Sequence, residues 1–206
     1  MGRLGVLLAF LISAGLAASA DAATVVGKVA RVQGEVSASA AGGRVALPIG
    51  SPVHRDQAIE TGANARLEIV FVDGTTFTVG EKSKVTIDRF VFDPGGTRNA
   101  LRLAVVGPFR FISGKLGKAI GSNVSITTPF ATMGIRGTDV WGGPIDNQFG
   151  VFLADGIVTV SSGGGTVVLT RRGSGTNIAR VGTTPGRVTA WPRDKVARAI
   201  ATVTFR

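Results

Sequence analysis

Cysteine and tyrosine are absent from this chain, histidine occurs once, and acids are outnumbered by bases, 13 to 23. Without cysteine, neither a disulfide framework nor a thiolate metal site can form. His54 alone cannot supply the nitrogen ligands of a zinc centre, and a catalytic triad needs a nucleophile beside it. Flanked by Arg55 and Asp56, it reads as a solvated residue of a polar connector. Asp73 and Asp155 each precede a glycine, where a carboxylate accepts local backbone N–H groups, so they read as turn residues rather than a hydrolase pair. Aromatic residues make up only 6% of the chain and form no stacking platform for single-stranded nucleic acid, so no nucleic-acid partner is expected. Gly-x-Gly spacings fall between strands, without the helix whose N-terminus would hold a phosphate. No metal, cofactor or catalytic residue is expected.

What is present is apolar alternation. The 206 residues, 44% of them apolar, suffice for one core. The 30 glycines follow no fixed period, which excludes a collagen-like chain and leaves them as turn residues. The formal charge of +10 favours an anionic partner, such as an acidic glycan or an acidic envelope protein. At the N-terminus, Arg3, the apolar run Leu4–Leu16 and the small residues Ala18-Ser19-Ala20-Asp21-Ala22 have the layout of a secretory signal peptide cut after Ala20 or Ala22. No later apolar run reaches spanning length. The expected location of the mature chain is therefore the periplasm or the exterior.

The stretch Thr61–Asp93 sets the pattern. Leu67, Ile69 and Phe71 point one way, and Arg66 and Glu68 the other, with Val70 and Val72 continuing the second face towards fuller burial. Asp73-Gly74 turns the chain, Phe77 and Val79 form the next inward pair, Gly80–Lys84 is a polar corner, and Val85 and Ile87 start a third strand. Ile69, Phe71, Phe77, Val79 and Ile87 should therefore line one interior. Val25–Val36 reads as a strand pair around Gln33-Gly34, Ala38–Arg44 as a loop, and Val45–Ile49 as an edge or turn around Pro48. Trp141-Gly142-Gly143-Pro144 reads as a loop and Asp155-Gly156 as a second tight turn. Turns every eight to twelve residues imply an all-β fold of short strands, in a β-roll or β-helix-like solenoid or a sandwich-like arrangement. After Thr170 the pattern weakens. Pro192 followed by Ala197–Ile200 suits a helical turn, and Ala201, Val203 and Phe205 suit a strand. The division is a leader over 1–22, a β domain over 23–170 and a basic extension over 171–206.

The most constrained segment is Thr127–Thr138 with the nearby Trp141. Pro129, Phe130, Gly134, Arg136, Gly137, Thr138 and Trp141 are the candidate structural or binding loop. Glycines around Arg136 would let the chain fold closely about a guanidinium whose planar fork holds several carbonyls, or pairs with Asp139. The expectation is a buried or half-buried clamp.

The ordered motifs resemble the FecR domain family. They are Thr61-Gly62-Ala63-Asn64-Ala65, Phe71-Val72-Asp73-Gly74-Thr75, Val79-Gly80-Glu81-Lys82-Ser83, Phe109-Arg110-Phe111-Ile112-Ser113-Gly114, and Ile126-Thr127-Thr128-Pro129 running into Gly134-Ile135-Arg136-Gly137-Thr138. The resemblance covers about Val25 to Val160. The resemblance implies an all-β envelope domain without catalytic residues. The family's founding regulator carries a cytoplasmic anti-sigma segment and a periplasmic part that hears a transporter. Only three residues precede the apolar run here, and no βαβ module follows, so the expectation is a stand-alone exported domain. Its expected role is non-enzymatic binding or scaffolding in the bacterial envelope, with a periplasmic part in FecR-type transmembrane signalling as the alternative, and a cell-wall polymer hydrolase as a third.

Overall fold

The computed structural model describes residues 24–40, 43–96 and 98–206. The leader expected over residues 1–22 lies outside them. Strands hold 55% of the described residues and helices 7%, in a curled mixed sheet that forms a half-barrel. The all-β expectation holds, and its roll or sandwich takes this curled form.

Strands β1 (Val25–Gln33) and β2 (Val36–Ala40) flank Gly34, whose φ of 70° bends the chain. Their expected mutual pairing does not form. β2 instead makes a hairpin with β3 (Gly43–Ala46), and Ala38, expected in a loop, is a core residue 1% exposed. β4 (Pro52–His54) is a short edge strand on β1, so half-buried His54 lies in a strand rather than a connector. β5 (Ala58–Thr61) joins β2.

The organising stretch behaves as its alternation implies. β6 (Arg66–Phe71) and β7 (Thr76–Val79) form a hairpin around Asp73-Gly74, and β8 (Lys84–Val91) leaves through the Gly80–Lys84 corner to pair with β5. Thr61 Oγ1 pins that corner, accepting the N–H of Ser83 at 2.9 Å and donating to Gly80 O at 2.7 Å. Ile69, Phe71, Phe77, Val79 and Ile87 all lie in the main core. The second face of β6 departs from expectation: Val70 is half-buried, Val72 is exposed and Arg66 is buried.

β9 (Ala100–Val106) pairs with β8, and β10 (Phe109–Ile112) follows after Gly107-Pro108. A single helical turn, α1 (Lys115–Lys118), leads to β11 (Asn123–Thr127), which lies parallel to β9. Two long strands follow, β12 (Thr132–Ile145) and β13 (Gln148–Ser162). They form a hairpin through Asp146 and Asn147, both with positive φ (51° and 59°), as a tight primed turn requires. Two expectations are corrected here. Trp141–Pro144 is strand, because a Cβ on Gly142 would lie 2.5 Å from the Phe109 ring and one on Gly143 2.9 Å from Pro108. Those glycines mark close packing, not turns. Asp155-Gly156 sits inside β13, opposite an irregularity between Arg136 and Asp139, and makes a bulge rather than a hairpin turn.

The long hairpin joins two halves of the sheet. The first half of β12 pairs with β11 and its second half with β10. Across β13, the near end pairs with β15 (Ser174–Ile178) and the far end with β14 (Gly165–Leu169). Residues of both halves, such as Ile59, Leu101 and Ile126 with Leu67, Phe77 and Val151, belong to one core cluster, so the halves curl towards each other. β16 (Thr189–Ala190) pairs with β15, and α2 (Arg193–Ala201) follows, so the helical reading of the C-terminus is the one that forms. A second cluster, of Trp141, Ile145, Phe152, Trp191, Ala199 and Val203, packs α2 against the sheet. Among the described residues, no helix is long and apolar enough to cross a membrane.

Candidate functional site

The seven residues singled out in the sequence separate into distinct places. Pro129 and Phe130 form the turn between β11 and β12. Thr128 Oγ1 holds it, accepting the N–H groups of Phe130 and Ala131 at 3.2 and 3.1 Å. Gly134 and Arg136 lie in β12 and line a shallow dent with Asn123 and Ile157. Arg136 is exposed, and its side chain makes no hydrogen bond or ion pair among the described residues, which corrects the clamp expectation. The reason is parity: Met133 and Ile135 point into the core, so residue 136 points out.

The clamp is its neighbour. Thr138 is 2% exposed, and its Oγ1 accepts the N–H of Arg136 at 3.2 Å and donates to Ile157 O at 2.9 Å. Its N–H donates to Ser113 Oγ at 2.9 Å, and its carbonyl accepts the N–H of Ser113 at 2.8 Å. Gly137 enters the bulge with φ 56°. Asp139 pairs with Arg110, not Arg136, in a two-pronged contact of 2.9 and 2.7 Å. That hydrogen bond raises the Arg110 pKa, with burial opposing it. Trp141, 1% exposed, donates its indole N–H to Thr202 Oγ1 at 3.0 Å and ties the C-terminal tail to β12.

Of these residues, Pro129 and Phe130 reach a groove of about 570 Å³. Turns and one strand end build half of it: Glu81 and Lys82 of the Gly80–Lys84 corner, Val106 at the end of β9 with Gly107-Pro108 after it, and Pro129-Phe130. Pro144 and Phe149, near the tip of the long hairpin, continue the apolar wall, with Phe130 stacked on Phe149 at 5.0 Å. Arg198 and Ala201 of α2, with Thr202 and Arg206, close the far side.

Arg66 lies in this wall and is only 5% exposed. Its Nη1 donates to Ala65 O at 2.8 Å, while Nε is buried and has no partner. Alternation places Arg66 on the outward face of β6, the face along which the C-terminal tail runs. Phe205 stacks under Arg31 at 4.0 Å, and the N–H of Arg206 donates to Gln33 Oε1 at 2.9 Å. Gln33 is the cross-strand neighbour of Arg66. The sequence holds no local signal for this burial, since alternation alone would leave Arg66 facing out. Two of the groove's other charges are engaged. Glu81 accepts the N–H of Asn64 at 2.6 Å, and Arg198 pairs with Asp146 at 2.6 Å. Asp146 is shared with Lys195, and hydrogen bonds from Arg198 and then Lys195 hold its pKa below the ordinary carboxylate value.

The profile of the family described as FecR protein matches residues 57–159, half of the chain. Two crystal structures described as a candidate anti-sigma factor from Parabacteroides distasonis share the fold, with TM-scores of 0.53 and 0.52. Each is 14% identical to this chain and covers 69% of it. The chain spans 63% and 64% of their lengths, less than two thirds. No curated protein matches.

Proposed function

The chain belongs to the FecR family, and from that premise we propose that it is a non-enzymatic binding component of FecR-type signalling at the bacterial cell envelope, engaging its partner or ligand at the groove beside Arg66. Family membership supports the signalling context, and the likeness in fold to a candidate anti-sigma factor agrees with it. The leader-like residues Arg3 and Leu4–Leu16, followed by Ala-x-Ala, support export.

The observation that carries the reading is Arg66. A guanidinium buried without a carboxylate in reach is costly, and a fold keeps such a group where something else meets it. It stands in the wall of a concavity of ordinary ligand-pocket size, roughly 300–1,000 Å³, lined mainly by apolar side chains. A wall-polymer hydrolase finds less support. It requires two carboxylates facing each other across a cleft, and Glu81 is the single acid among the described residues lining the groove.

The test places a photo-crosslinking amino acid at Phe130 of the otherwise intact chain in living cells. The expected result is a crosslink to an envelope component, lost when Ala201→Trp fills the groove, together with altered transcription of a sigma-dependent gene set. A groove-filled chain that crosslinks and signals like the parent would overturn the reading.

A further inference from the structure

We propose that the groove binds a free monocarboxylate carrying an unbranched apolar chain, its head group on Arg66 and its chain along Val106, Pro108, Pro129 and Phe130. This rests on the reading that the groove is the binding site, and it names the ligand class.

Arg66 has one edge committed, since Nη1 donates to Ala65 O, and a buried Nε with no partner. No acid lies within ion-pair distance of it among the described residues. Glu81, which shares the groove, holds the Asn64 N–H instead. Nη2 is the guanidinium nitrogen left to the groove, since no hydrogen bond engages it while Nε is covered, and a carboxylate set on it gains a charge-assisted hydrogen bond. Lys82 lines the same wall and adds positive charge. A phosphate would need more donors than this one nitrogen, as a glycine-rich loop or an arginine cluster supplies.

The remainder of the wall selects an apolar body. Val106, Pro108, Pro129, Phe130, Pro144 and Phe149 present hydrocarbon. Thr202 has its hydroxyl already engaged, accepting from Trp141 at 3.0 Å and donating to Ala199 O at 2.6 Å. A uronic acid would bury hydroxyls against a surface with few partners left for them, at a desolvation cost. An extended peptide ending in a free carboxylate fits less well, because three of these wall residues are prolines, which have no N–H to offer a peptide main chain.

The test titrates the full chain with dodecanoate, dodecanol and a hexapeptide ending in Phe-Leu with a free carboxylate, following heat release and tryptophan emission. Dodecanoate is expected to bind at least tenfold more tightly than dodecanol. Arg66→Met should remove that preference, and Arg66→Lys, which keeps charge and loses the fork, should reduce it. Ala201→Trp, at an exposed helix end, should abolish binding of both chains with an unchanged thermal melt. It carries the test if Arg66→Met does not fold. Equal affinity for acid and alcohol, a preference that survives Arg66→Met, or tighter binding of the peptide would each overturn the proposal. If dodecanoate fails while the Phe130 crosslink persists, the ligand class is wrong and the groove reading stands. Loss of both removes the reading itself.

Discussion

Asp73 offers the sharpest test of how the turn chemistry holds this fold. It is 2% exposed, and its carboxylate takes three donors: Thr75 N–H on Oδ1 at 3.1 Å, and Thr75 Oγ1 and Leu116 N–H on Oδ2 at 2.7 and 3.0 Å. Its carbonyl also accepts the N–H of Lys115 at 2.9 Å, so one residue joins the β6–β7 turn to the helical turn α1. Asp73→Ala removes the acceptor and strands two buried main-chain donors. The Thr75 hydroxyl keeps its role as acceptor for Gly114 N–H at 3.0 Å and can rotate. At about 1–3 kcal/mol per stranded donor, the expected loss is about 2–6 kcal/mol, a large part of a typical stability of ~5–15 kcal/mol. Asp73→Asn can turn its oxygen towards Thr75 Oγ1 and Leu116 N–H, but then sets its NH₂ against Thr75 N–H. One stranded donor gives a loss of about 1–3 kcal/mol. Guanidinium denaturation followed by tryptophan fluorescence should show both midpoints falling at constant slope. A loss below about 1 kcal/mol for Asp73→Ala, or Asn costing as much as Ala, would refute the reasoning.

Three further outcomes follow from single contacts. Arg136→Lys should leave stability within about 0.5 kcal/mol in a denaturant melt, since the side chain is exposed and holds nothing; a larger loss would restore the clamp. Gly156→Ala should destabilise by about 1–3 kcal/mol or more, because φ is 88° and the new Cβ would lie 2.1 Å from Gly137 O; an unchanged melting temperature would contradict that crowding. The Asp146 contacts to Arg198 and Lys195 should be at full strength above the ordinary carboxylate value near ~3.9 and fade as pH falls through the lower folded value. The sign follows from a folded pKa held below the unfolded one. Because Lys195 sits 4.3 Å over the Trp191 ring, the indole resonance of Trp191 should report the change, and a midpoint at or above the ordinary value would exclude it.

Within Thr61–Asp93, the strands and most of the side chains that face the core followed from alternation alone. Leu67, Ile69, Phe71, Phe77 and Val79 could be assigned because a pleated strand has only two faces and burial selects the apolar one. The same parity, applied at Met133 and Ile135, would have turned Arg136 outward; surrounding glycines drew it into a clamp instead. Glycine was the ambiguous letter, since it marks a sharp turn and a crowded contact alike. At Gly74 it turns the chain, whereas at Gly142 the Phe109 ring takes the space of a side chain, and nothing near residue 142 in the sequence announces residue 109. Strand partners were equally hidden. β1 and β2 are neighbours in sequence but pair with β6 and β5, because pairing depends on which edges the curled sheet brings together. The groove belongs to that second kind of information. Pro129 and Phe130 were legible as a constrained turn, but Arg66 looked like an ordinary outward residue of an amphipathic strand. On the same face of the sheet, Phe205 and Arg206 lie over Arg31 and Gln33 of β1 from the far end of the chain, and local periodicity carries no trace of a contact made at that separation.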